Sequence, residues 1–170
     1  MFDKIKAGKA QKTMRDRYEE LYFAAESVRA NSYSPYSDFS VGAALLVRPN
    51  EDSPLPINKK YFGVNIENGS YGATLCAERA AFASAITDGV LKYENGENPF
   101  IAIAVSAGDD EAVPCGICRQ FMYEFNPDMD VITKAGGELK IRKLRELMPE
   151  GFTLEQTGTF VDSQAGEMNE

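Results

Sequence analysis

Phe100 to Ser106 reads Phe-Ile-Ala-Ile-Ala-Val-Ser, an unbroken apolar run. Successive side chains of a strand point to opposite faces, so a run without polar alternation requires cover on both sides of its sheet. Helical patterns are available to supply that cover. Residues 12–30 carry Met14, Tyr18, Leu21, Ala25 and Val28 at steps of 4, 3, 4 and 3, one face of an amphipathic helix. Thr74 to Ile86 is rich in alanine and favours a helix able to lie close to a sheet. Pro114 to about Phe125 is a third helix, with the proline near its first turn. Phe39–Val47 and Tyr61–Ile66 predict two strands joined by a polar loop at 49–56. Asp130–Thr133 and Glu138–Ile141 predict two more around the Gly136-Gly137 turn, with a short helix at Lys143–Leu147. This order predicts an α/β fold: a three-layer α/β/α sandwich around a mixed, mostly parallel five-stranded sheet, with an antiparallel edge.

The length of 170 residues fits one domain. We expect it to span residues 1–156, with 157–170 a polar C-terminal tail. No internal repeat or low-complexity segment interrupts it. Lys and Arg number 18 against 26 Asp and Glu, a net charge of −8. That balance disfavours nucleic acid, whose binders neutralise phosphates with a basic footprint. Met1 to Arg17 has no apolar core of a signal peptide, and no stretch approaches a membrane span. The expectation is a cytoplasmic protein with no membrane partner.

The chain has no histidine. A Ser-His-Asp triad, a Cys-His dyad and an HExxH metal site are all excluded. A transition-metal site must then be built from Cys, Asp and Glu. The three cysteines, Cys76, Cys115 and Cys118, all fall at predicted helix starts. Cys115 and Cys118 stand at i, i+3 in Pro-Cys-Gly-Ile-Cys, which puts both sulfurs on one helical face. The positive end of a helix favours the thiolate, the form that binds metal. Three sulfurs without a fourth ligand fit zinc with one open position, the mark of a catalytic site. Three thiolates leave such a site with excess negative charge. Helix N-termini, Arg79 beside Glu78 and Arg119 beside Cys118 could offset it. Glu78, two residues past Cys76, is placed to carry a proton between a bound water and a substrate nitrogen. Simpler readings stay open for each residue taken alone. Cys115–Cys118 could be a redox pair, Cys76 a buried apolar residue and Glu78 a solvated one.

Cys76-Ala77-Glu78 followed by Pro114-Cys115-Gly116-Ile117-Cys118 resembles the signature of the zinc-dependent nucleobase deaminases. Further motifs are similar to those of the cytidine deaminase family. They are Ser34-Pro35-Tyr36-Ser37-Asp38-Phe39-Ser40-Val41-Gly42-Ala43-Ala44, Asn65-Ile66-Glu67-Asn68, Cys118-Arg119-Gln120 and Leu147-Met148-Pro149-Glu150-Gly151-Phe152. The likeness covers about residues 14–155. It implies one zinc ion per chain on Cys76, Cys115 and Cys118, with zinc-bound hydroxide attacking C4 of cytidine or deoxycytidine. It implies Glu78 as proton shuttle, the Ala77 N–H on the pyrimidine oxygen, and Asn65 and Glu67 on the ribose hydroxyls. Phe39 would pack on the nucleoside, and Arg79 would temper the thiolate charge.

Lacking histidine, the chain resembles the short, three-cysteine form of that family, a homotetramer. There, aromatic residues at the positions of Tyr71 and Phe152 reach a neighbouring subunit's site. The implied role is pyrimidine salvage. A deaminase of another aminopyrimidine nucleoside such as blasticidin S, a non-catalytic zinc protein and a thiol-redox protein are the alternatives. The loop at 48–60 and the N-terminus are longer than is usual in the family.

Overall fold

In the computed structural model, which describes residues 13–48, 58–93 and 98–153, nine regular elements alternate along the chain. They are α1 (Met14–Val28), β1 (Gly42–Val47), β2 (Lys59–Val64), α2 (Ala77–Thr87), β3 (Phe100–Ser106), α3 (Gly116–Tyr123), β4 (Asp130–Ala135), β5 (Glu138–Lys143) and α4 (Leu144–Leu147). The tail at 157–170, the residues before Thr13 and most of the 48–60 loop lie outside the described residues.

The strands form one sheet in the order β2-β1-β3-β4-β5. β3 is central and buried almost throughout, as its unbroken apolar run requires. Alternate residues serve two cores. Ala43, Leu45 and Val47 of β1, Ile103 and Val105 of β3 and Val131 of β4 pack with α2 and α3. Ala44, Leu46, Ala102, Ala104 and Ile132 pack on the other face against Tyr18, Leu21, Tyr22 and Ala25 of α1. The mixed three-layer sandwich is therefore present.

The sheet is not mostly parallel. β1 pairs antiparallel with both β2 and β3, β4 pairs antiparallel with β5, and only β3 and β4 run parallel. The connection from β2 through α2 passes over β1 and places β3 on its far side. β2 and β3 thus point the same way without touching. The two hairpins account for the rest. Gly136 and Gly137 take φ of 59° and 83°, the left-handed pair that a two-residue hairpin turn needs.

Element boundaries moved by a few residues, each for a local reason. β1 starts at Gly42 rather than Phe39, because 39–41 are drawn into a loop held by Asn65. β2 covers Lys59–Val64 rather than 61–66. α1 begins at Met14 behind its cap Thr13, whose hydroxyl accepts from Asp16 N while Asp16 accepts from Thr13 N. Met14 in its first turn is exposed, and Tyr22 joins Leu21 among the buried residues. α2 starts at Ala77 rather than Thr74, and α3 at Gly116 rather than Pro114.

Candidate metal centre and active site

The late starts of α2 and α3 make two cysteines the N-cap residues. Cys76 (φ −75°, ψ 152°) caps α2 and Cys115 (φ −68°, ψ 168°) caps α3, both extended as caps are. Cys118 follows in the first turn of α3 and is fully buried. The three Sγ atoms lie within 4.8 Å of one another, and Cys76 Sγ is 4.0 Å from Cys115 Sγ. Zinc–sulfur bonds of about 2.3 Å at tetrahedral angles place sulfurs about 3.8 Å apart, so the trio fits a zinc ion. The cysteines are free rather than bridged, and each can offer its sulfur.

The electrostatics favour thiolate at Cys76. Its pKa is lowered to about 5, first by a hydrogen bond from Cys118 and then by Arg79 and Cys115. The Cys118 thiol is pushed up correspondingly, as donor to that thiolate and by burial. Arg79 Nη2 stands 3.9 Å from Cys76 Sγ and donates to Thr74 O at 2.8 Å. The charge offset expected from Arg119 takes a different form. Its guanidinium donates to the carbonyls of Pro114 (2.6 Å) and Leu147 (2.8 Å), which clamps the entry of α3 to α4. Only 4 % of Glu78 is exposed, and burial pushes its carboxyl up from the ordinary 4.5.

A cleft of about 250 Å³ opens over this cluster. Cys76, Cys115 and Glu78 line it, with Ala77, Phe39 and Asn65 around them. Ala77 supplies the first helical N–H of α2, which has no acceptor within the helix. Asn65 is heavily engaged. Its Oδ1 accepts from Val41 N (2.7 Å) and Ser32 Oγ (2.5 Å), and its Nδ2 donates to Phe39 O (2.8 Å). One amide hydrogen remains for a ligand. It thereby holds the loop that carries Phe39.

Glu67 does not line the cleft. Its carboxylate accepts from Tyr36 N (2.8 Å), Ser37 N (3.2 Å) and the Ser37 hydroxyl. Asn65 and Glu67 both turn toward the 32–41 segment, Asn65 onto Ser32, Phe39 and Val41 and Glu67 onto Tyr36 and Ser37, beyond the last residue of β2 at Val64. Tyr71 and Phe152 also stand clear of the cleft, 77 % and 54 % exposed. Tyr71 meets the edge of Tyr36, with ring centroids 6.2 Å apart.

Sequence reading missed several cleft residues, above all Glu111. Glu111 accepts from Thr133 Oγ1 (2.8 Å) and pairs with Arg142, tying the segment before Cys115 to β4 and β5. The available signal was positional. A segment joining the end of a central strand to a ligand-bearing helix has to pass the site. A larger polar groove of about 520 Å³, beside α1, contains none of the cysteines.

Comparisons with known proteins agree with this geometry. The family model described as the cytidine and deoxycytidylate deaminase zinc-binding region matches residues 15–134. A cytidine deaminase of Sporosarcina psychrophila is 40% identical over 140 residues, covering 81% of this chain and 92% of that protein. One from Halalkalibacterium halodurans is 40% identical over 134 residues, covering 77% and 90%. Among solved structures, the cytidine deaminase of Burkholderia pseudomallei superposes with a TM-score of 0.66 at 37% identity, covering 79% of this chain and 98% of that one. The Mycobacterium tuberculosis enzyme gives 0.60 at 32%, covering 80% and 97%. With a cysteine trio at two helix starts and a family match across both, the chain belongs to the cytidine and deoxycytidylate deaminase zinc-binding family.

Proposed function

We propose that this protein catalyses the hydrolytic deamination of cytidine and deoxycytidine to uridine and deoxyuridine. One observation carries the reading. Three cysteine sulfurs lie within 4.8 Å of one another, and two of them, Cys76 and Cys115, line one small cleft together with the buried Glu78. Cys76, Cys115 and Cys118 would hold one zinc ion per chain. Bound there, zinc supplies a Lewis acid that lets water lose a proton near neutral pH.

The protein's own residues do the rest. Glu78 takes that proton and delivers it to N3 of the pyrimidine, then carries a second proton from the hydroxyl newly added at C4 to the amino group, which departs as ammonia. Burial supports this role, because a carboxyl raised toward neutrality exchanges protons more readily at working pH. The Ala77 N–H holds the pyrimidine O2, and Phe39 packs on the nucleoside. Asn65 binds a ribose hydroxyl through its remaining amide hydrogen. Glu67 reaches the same sugar at the loop edge while it holds the turn beneath Phe39. Arg79 tempers the thiolate charge. The cleft lies just below the roughly 300–1,000 Å³ of ordinary small-molecule sites, in keeping with a free nucleoside.

The same reading includes a homotetramer. The exposure of Tyr71 and Phe152 supports it, because large aromatic side chains in water favour burial by a partner. It also includes a salvage role in the cytoplasm, where the thiolate ligands stay reduced.

Purified protein incubated with cytidine should release uridine and ammonia in equal amounts and carry one zinc per chain. No turnover with one zinc bound per chain would overturn the enzymatic reading.

A further inference from the structure

Gly63 lies on β2 where α2 crosses it. A Cβ placed on Gly63 would stand 2.2 Å from Ala77 O, 2.4 Å from Ala81 N and 2.9 Å from Ala80 Cβ. The two nearest atoms are backbone, and no side-chain rotation relieves an overlap with backbone. The start of α2 therefore rests on the main chain of β2 with no side chain between them. That helix begins at its cap Cys76 and continues through Ala77 and Glu78.

Cys115 and Cys118 come to the same centre by another route. Their mutual spacing is fixed by the first turn of α3, and α3 is held by Arg119 and by the Glu111 anchor. Cys76 is tied to the chain just beyond β2 through the paired hydrogen bonds of Leu75 with Ile66, but its spacing from Cys115 and Cys118 is set between separate elements. With that bridge in place, the remaining freedom is how high α2 stands above the sheet.

We propose that Gly63 is the positioning residue of the metal centre: its missing side chain sets the height of α2 over β2, and with it the separation of Cys76 from Cys115 and Cys118. The inference rests on the zinc reading above. Relieving the overlap with Ala77 O would lift the helix by about 1 Å, to reach ordinary van der Waals separation. Zinc sites hold their ligand distances to within about 0.2 Å, so a lift of that size takes Cys76 out of range. Glu78 moves with the same turn, away from the cleft it lines.

The fold supplies a matched control. A Cβ on Gly42 would stand 2.1 Å from Ala25 O and 2.8 Å from Arg29 N, the same kind of overlap. There the helix is α1, on the opposite face of the sheet, and it carries no cysteine.

The experiment compares the wild-type protein with Gly63→Ala and Gly42→Ala. Three quantities are read: zinc affinity by chelator competition, the absorption spectrum of the cobalt(II)-substituted protein, and the thermal midpoint of the metal-stripped form. Gly63→Ala should bind zinc about 10–100-fold more weakly, the range seen when groups supporting metal ligands are lost. Its cobalt spectrum should shift. Gly42→Ala should lose stability and keep wild-type zinc affinity and spectrum. If Gly63→Ala does not fold, Ala80→Val puts a stiff, branched wedge at the same contact from the helix side and is read the same way. Unchanged zinc affinity and spectrum in the wedge variant overturns the inference. So does an equal loss of affinity in Gly42→Ala, which would reduce Gly63 to a general stabiliser. A wild-type chain that binds no zinc overturns the zinc reading itself, a separate result visible before any variant is compared.

Discussion

Glu78 combines burial with a titratable carboxyl, and the two pull against each other. At 4 % exposure it is held where an ionised carboxylate is disfavoured. Glu78→Gln keeps the shape and removes the proton carrier. The rate should fall by about 10²–10⁴-fold, while zinc content stays at one per chain and the metal-stripped protein unfolds at the same or a higher temperature. Near-normal turnover would remove Glu78 from the proton path. Glu67 shows the opposite shift. The Ser37 hydroxyl, followed by the Tyr36 N–H, holds its carboxyl below the ordinary 4.5. A depressed folded-state pKa stabilises the protein above the unfolded value, and that stabilisation is lost as pH falls through the folded value. The thermal midpoints of wild type and Glu67→Gln should therefore differ most at neutral pH. They should converge as acid protonates the wild-type carboxylate, and a constant gap across that range would refute the role. At this scale the sequence was legible where residue type dictates chemistry, as at the three cysteines that the fold brings together. It was not legible for the partners of Asn65 and Glu67, since Val41, Phe39 and Tyr36 reach them only through a folded loop.

The elements that carry the site are held by aromatic packing beneath it. Phe82 of α2 is fully buried against Phe100 of β3 and Phe125, with ring centroids 4.7 Å and 5.3 Å away. It also meets the edge of Phe121 on α3 at 5.9 Å. This one ring therefore joins both ligand-bearing helices to the central strand. Phe82→Ala should destabilise the protein by about 3–5 kcal/mol in denaturant unfolding. Zinc should be retained at low temperature, because the backbone seat of α2 on β2 is unaffected. A loss below about 1 kcal/mol would show that the cluster collapses around the gap. Among the described residues, periodicity and composition located each of the five strands and four α-helices, though not the short 3-10 turns, because apolar spacing directly reports which face is buried. Strand direction was not legible in the same way. Sequence order shows that β3 follows α2, but β1 slips between β2 and β3 only in the folded sheet.

For the molecule as a whole, the exposed aromatic rings of Tyr71 and Phe152 bear on the tetramer proposed above. In the tetrameric reading, Phe152→Ala should raise KM and weaken assembly in sedimentation while leaving zinc content at one per chain. An unchanged KM would separate Phe152 from any shared site. Phe152 is tied to α3 through its carbonyl, which accepts from Gln120 Nε2 at 2.7 Å, so truncating the ring leaves that anchor in place. What the sequence determined by itself was chemical. Without histidine, three cysteines were the only soft ligands, and their i, i+3 spacing and helix-start context follow from local backbone rules that need no tertiary information. Only the tertiary structure decided how Cys76 meets Cys115 and Cys118, which cleft Glu78 faces, and that Glu67 holds a turn outside that cleft. Those outcomes depend on how close two separate helices come to one sheet, a distance set by packing between residues far apart in the chain.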